Sequence, residues 1–190
     1  MMSHHNWRTC VSGEPTTQEC ECPYCNLHIA GKIRYIISDG NSRAYSVLEC
    51  PVCEQPIIYQ RYGCKTYPST KPLKAVKHLP ERIEKVYNEV NAAIGAGCFT
   101  AAVTLARTAI NHIAVDNGAE ENKSFQYYVQ YLVDNHYVPP NARGWVDKIR
   151  LMANETVHDL EIWGHDEAIT IGKFLMYLLI FIYELPSSVE

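Results

Sequence analysis

Two periodicities divide the chain. Up to residue 78 the apolar positions come in short runs broken by turn formers: Lys32-Ile-Arg-Tyr-Ile-Ile37, Ala44-Tyr-Ser-Val-Leu48 and Pro56-Ile-Ile-Tyr-Gln60. Runs of this length, rich in β-branched and aromatic residues, predict strands. Ser38-Asp39-Gly40-Asn41 between the first two predicts a hairpin turn. From Leu79 onward the apolar spacing becomes three and four. Pro80 opens a helix to about Ile94, with Ile83, Val86, Tyr87, Val90 and Ile94 on one face. Gly95-Ala-Gly97 closes it. Further helices are predicted from about Phe99 to Val115, from Ser124 to Asp134, and from Pro139-Pro140 to about Asp159. A last one follows Gly164, where Asp166 and Glu167 suit the positive end of the helix dipole. Five helices with short connections predict an antiparallel bundle.

The segment between the two regimes, residues 61–78, holds five basic residues and no acid, and Gly63, Pro68 and Pro72 interrupt it. It reads as a linker. Two readings of its cations stay open. They are either solvated or, with Tyr59, Tyr62 and Tyr67 beside them, part of a surface that pairs charge with stacking faces for single-stranded nucleic acid. Arg61 and Lys65 are its candidate binding residues.

Chemistry enters with the cysteines. Cys22-Pro-Tyr-Cys25 and Cys50-Pro-Val-Cys53 each place two residues between thiols. That spacing lets both sulfurs of one tight turn face a common point, and two such turns supply a closed tetrahedral zinc set. A closed set stabilises a fold and leaves no open position for catalysis. The pairs flank the predicted hairpin, which makes residues 1–60 a small zinc ribbon with a core too small to fold without metal. Cys20 lies two residues before Cys22 and could exchange with it. Cys10, Cys64 and Cys98 have no partner at clamp spacing and read as ordinary small residues. The expected fold is therefore α+β, mainly α: a zinc ribbon over 1–60, a basic linker over 61–78 and an antiparallel bundle of about five helices over 79–190.

Charge and hydropathy narrow the setting. Residues 1–78 carry nine Lys/Arg and six Asp/Glu, residues 79–190 eight and fifteen. Four thiolates around a zinc would bring the first region close to neutral, so net charge alone gives no strong field for nucleic acid. The start, Met1-Met-Ser-His-His-Asn-Trp7, lacks the apolar segment of a secretory signal. Cysteines without export read as metal ligands, so a cytoplasmic location is expected. Phe174–Tyr183 is the most apolar run, but ten residues of helix rise only ~15 Å, about half a bilayer core. It is expected to be a core or dimer helix, with no membrane partner.

Two helices carry candidate polar sites. Arg150, Asn154 and His158 stand four apart on the fourth helix and form one drifting polar stripe, ~12 Å long. A cation, an amide and an imidazole on one face could hold a phosphate and move a proton. The alternative is a set of polar side chains that hydrogen-bond one another within the bundle. Arg107 lies among the alanines of the second helix and is either exposed or paired.

The helical half resembles a known family. Leu79-Pro-Glu-Arg-Ile83, Tyr87-Asn-Glu89, the alanine-rich helix with Arg107, and above all Ile149-Arg-Leu-Met-Ala-Asn-Glu-Thr-Val-His158 are similar to domain of unknown function 4145, of the HEPN-like helical superfamily. The resemblance covers about residues 79–186, and a preceding cysteine motif is a familiar arrangement in that family. It implies a helical homodimer directed at RNA or DNA, or at a protein partner, in phage defence or stress. It further implies a metal-independent ribonuclease in which the RNA 2′-hydroxyl attacks the adjacent phosphate. Carried over, His158 would be general base or acid, Asn154 would orient a phosphate oxygen, and Arg150 would neutralise developing charge. The family's arginine position is Ala153 here, and Asn111 stands where an acidic residue is expected after Arg107. A non-enzymatic dimeric module, with the ribbon docking a partner, is the other function the resemblance allows.

Overall fold

The structure is a computed structural model that describes residues 6–9, 14–39, 42–139, 143–152 and 162–188. The chain divides into two units, Met1–Lys71 and Pro72–Glu190.

The first unit is an antiparallel sheet of six strands: β1 (Asn6–Arg8), β2 (Thr17–Glu21), β3 (His28–Asp39), β4 (Ser42–Glu49), β5 (Pro56–Gln60) and β6 (Lys65–Tyr67). β3 is twelve residues long and organises the rest. β1 and β2 share one of its edges end to end, while β4, β5 and β6 follow in order on the other. Alternation along β3, β4 and β5 buries Ile33, Ile36, Leu48, Ile57 and Tyr59 in a core shared with Cys20, Cys22 and Cys50. Irregularities in the β3–β4 ladder fall between Ile33 and Tyr35 and between Ile37 and Ser38. Such bulges bend a strand and strengthen its twist.

The expected small ribbon with an antiparallel bundle is overturned here. The first unit is a curled antiparallel sheet with its own core and the second holds five principal helices, so the protein is α+β with a substantial β half. The difference arises in β1, β2 and β6. Each is short and mostly polar, with Cys20 the buried residue of β2 and Thr66 that of β6. They are held by pairing with β3 and β5, a tertiary cause that a hydrophobic pattern does not register. β6 lies within the segment read as a linker.

The second unit contains α1 (Glu81–Gly95), α2 (Phe99–Asp116), α3 (Phe125–Asp134), α4 (Arg143–Leu151) and α5 (His165–Leu179). A π-helical turn, Ile180–Glu184, and a short α6, Leu185–Ser187, continue α5. α2 is central and packs against α1, α3 and α5. Its buried alanines, Ala102, Ala106, Ala109 and Ala114, allow those neighbours to approach closely. The Ser124 hydroxyl caps α3 by accepting from the Tyr127 N–H. Glu167 reaches back to accept from the Gly164 N–H at 3.1 Å and starts α5.

Residues 72–78 belong to this unit. The buried Asn91 amide accepts from the Leu73 N–H at 2.9 Å and donates to the Leu73 carbonyl at 2.8 Å. The Tyr87 hydroxyl donates to the Lys74 carbonyl at 2.6 Å. Leu73 and Val76 are thereby fixed in the helical core. By length and composition alone, His165–Ser187 could cross a membrane. Ala168, Ile171, Phe174, Leu175, Leu178 and Leu179 are instead buried in the core of the unit.

Candidate metal centre

The two cysteine turns are the loops of two hairpins. Residues 22–27 connect β2 to β3, where Glu21 faces His28. Residues 50–55 connect β4 to β5, where Glu49 faces Pro56. The β3–β4 hairpin sets Lys32 opposite Glu49 and brings both loops to one end of the sheet.

The loops repeat one another. In the first, the Cys22 N–H donates to the Leu27 carbonyl at 2.9 Å and the Asn26 N–H to the Cys22 carbonyl at 2.9 Å. In the second, the Cys50 N–H donates to the Gln55 carbonyl at 3.1 Å and the Glu54 N–H to the Cys50 carbonyl at 3.0 Å. The residue after the second cysteine is left-handed in both, with φ 56° at Asn26 and 61° at Glu54. A non-glycine residue in that region is uncommon, and asparagine is among the side chains that tolerate it. Glu54 accepts the same conformation to complete the second turn.

These turns bring four sulfurs together. Sγ of Cys22 lies 3.7 Å from Sγ of Cys53, and Sγ of Cys25 lies 3.9 Å from Sγ of Cys50. All four lie within 4.8 Å of one another, close enough to hold one metal ion. Cys22 and Cys50 are fully buried, and Cys25 and Cys53 are half-buried. Burial pushes Cys22 up to about 12, against the N–H groups of Cys25 and Tyr24. Burial also opposes ionisation of Cys50, but the Cys53 and Val52 N–H groups and the neighbouring thiols bring it down to about 7. The Val52 N–H lies 3.5 Å from the Cys50 sulfur.

Cys20 is outside the set. It is buried on β2 opposite Ile29, and burial, then the Cys50 charge, raises its thiol. Cys64 is exposed in the β5–β6 turn, Cys98 is exposed just before α2, and Cys10 lies outside the described residues.

The other candidates fall in different places. Arg61 and Lys65 are exposed at the β5–β6 hairpin with Tyr62 and Tyr67, whereas Tyr59 is buried. Arg107 is half-buried with its guanidinium 5.0 Å above the Phe125 ring, and it makes a further interaction. Arg150 donates to the Gln130 amide oxygen and lies 3.2 Å from Asp147 Oδ1. It lines a cleft of about 450 Å³ with His136, Asp134 and Asp147. Asn154 and His158 lie outside the described residues, so the stripe is represented by Arg150 alone. His136, in a left-handed turn after α3, escaped sequence reasoning because nothing in its spacing links it to Arg150.

The family model described as "Domain of unknown function (DUF4145)" matches residues 88–190, more than half of the chain. No curated protein and no solved structure matches it. The chain belongs to the DUF4145 family, whose domain here follows a sheet closed by four clustered cysteines.

Proposed function

We propose that the four cysteines hold one zinc ion as a structural clamp, and that the chain is a non-enzymatic binding module. The spacing of the sulfurs carries this reading. Four sulfurs placed tetrahedrally at the usual zinc–thiolate distance of ~2.3 Å stand about 3.8 Å apart. Two of the sulfur pairs are 3.7 and 3.9 Å apart, and all four sulfurs lie within 4.8 Å of one another. Cys22, Cys25, Cys50 and Cys53 would supply all four ligands of a tetrahedral zinc and leave no open position for water or substrate, so the metal would supply cohesion rather than catalysis. The N–H groups aimed at Cys50 support a thiolate-rich set.

The helical unit is the second half of the module. Tyr177, Phe181 and Leu185 are large apolar side chains exposed four apart along the C-terminal helical stretch. Tyr177 and Phe181 border an apolar cleft with Trp145 and Phe174. A surface of this kind suits a HEPN-like homodimer.

A second reading, a metal-independent ribonuclease using His158, Asn154 and Arg150, draws on Arg150 lining an open cleft beside His136. Against it, Arg150 already spends charge on Asp147. End-labelled RNAs, transfer RNA included, incubated with parent and His158→Ala protein without added metal separate the two. The binding-module reading expects no cleavage by either. Cleavage by the parent that His158→Ala abolishes in a folded protein would replace it with the ribonuclease.

A further inference from the structure

Strand registry assembles a surface on the sheet that no run of sequence displays. Tyr35 of β3 pairs with Val47 of β4, Val47 with Ile58 of β5, and Ile58 with Tyr67 of β6. Their neighbours Ile36, Ser46, Ile57 and Thr66 point to the buried face. The first four therefore form one transverse row on the opposite face. Tyr35 is 49% exposed, Ile58 41% and Tyr67 46%. Three strand spacings separate the two tyrosines, about 14 Å.

The next row on the same face starts at the buried Ile37, paired with Tyr45, and becomes polar and basic toward β6. Tyr45 pairs with Gln60 and Gln60 with Lys65. The Gln60 side-chain amide oxygen Oε1 accepts from the Tyr67 hydroxyl at 3.0 Å and holds that ring in place. Beyond it, the turn into β6 adds exposed Arg61 and Tyr62. Among the described residues, these two rows and that turn carry two cations and no acid. Glu49, the nearest acid in the flanking row, is held by Arg34.

We infer that this face binds single-stranded nucleic acid, with bases stacked on Tyr35 and Tyr67 and backbone phosphates met by Arg61 and Lys65. The inference rests on the binding-module reading and names its ligand. Exposed tyrosines in a row offer faces to any base, and adjoining cations track a phosphate backbone. A duplex keeps its bases stacked on one another and has none to offer. An apolar protein partner would leave Arg61 and Lys65 without counter-charge, which makes phosphate the better complement.

Fluorescence anisotropy of labelled oligouridine and oligothymidine with the zinc-loaded full chain tests this. Binding of either strand over the matching duplex is expected, and the better of the two identifies RNA or DNA as the source. Tyr35→Ala and Tyr67→Ala should each weaken binding by ~10-fold. Tyr35→Phe should retain it. Arg61→Gln and Lys65→Gln should each lower the salt dependence by about one phosphate contact. Circular dichroism and metal content of the variants should equal the parent's. No binding at low salt by the zinc-loaded full chain would overturn this inference and leave the module standing. Equal binding by the alanine variants would overturn it too. Protein that lacks zinc when purified would instead remove the reading beneath it.

Discussion

At the scale of the residue, two polar side chains anchor the lead-in to the helical unit. Asn91 is 2% exposed and makes both hydrogen bonds to Leu73 from within the core. Asn91→Leu would strand a buried N–H and a buried carbonyl, so it should cost about 3 kcal/mol in a denaturant melt. Tyr87 acts through its proton. Burial raises its pKa above the ordinary value of 10.0, and its hydroxyl donates to Lys74. A group raised in the fold contributes stability that is fully present below its unfolded pKa and is lost as pH rises beyond it. The helical unit should therefore weaken above pH ~10. Tyr87→Phe should flatten that alkaline limb and cost about 1 kcal/mol at neutral pH. Equal alkaline slopes for parent and variant would show that another group is responsible. Neither residue's partner was visible in sequence. Tyr87 and Asn91 both read as helix positions, and only the folded return of 72–78 gives them bonding roles.

At the scale of the element, the duplicated cysteine turns and the closeness of α5 to its neighbours matter most. The turns depend on their sulfurs for a metal and on their backbone bonds for shape. Cys22→Ser or Cys53→Ser should abolish stoichiometric zinc and unfold the sheet unit, leaving the helical signal in place. α5 approaches α1 through Gly172. A Cβ there would sit 2.8 Å from Ile94 Cδ1 and 3.0 Å from Leu73 Cδ1. Gly172→Val should destabilise the helical unit by about 2 kcal/mol through over-packing. Elements were the most legible level. The 3.6-residue period placed α1, α2 and α3 within a residue or two of their observed bounds, and β5 coincides with its predicted span. The clamp spacing located all four clustered sulfurs because it is local in the chain. β1, β2 and β6 were illegible because pairing, not composition, makes them strands. The spacing predicts a fourth helix to about Asp159, and the stretch beyond Met152 lies outside the described residues.

At the scale of the whole molecule, sequence reasoning placed a small metal-dependent ribbon before a bundle, and the protein has a sheet unit with a core of its own. The surfaces proposed for binding follow from that change. Tyr62, Tyr67, Arg61 and Lys65 are near one another in the chain, but Tyr35 joins them only through the register of four strands. The apolar run of the C-terminal stretch predicts a core or dimer helix. One side of it is buried, while Tyr177, Phe181 and Leu185 remain exposed. Phe181→Glu should convert a dimer into a monomer by light scattering with little change in melting. A parent that is monomeric at every concentration would exclude that surface as a homodimer contact. The central claim is the zinc clamp, and X-ray absorption at the zinc edge of the purified full chain tests it most directly. One zinc per chain surrounded by four sulfurs at ~2.3 Å is the predicted result. Protein without bound zinc, or zinc with nitrogen or oxygen ligands replacing any of the four sulfurs, would contradict it.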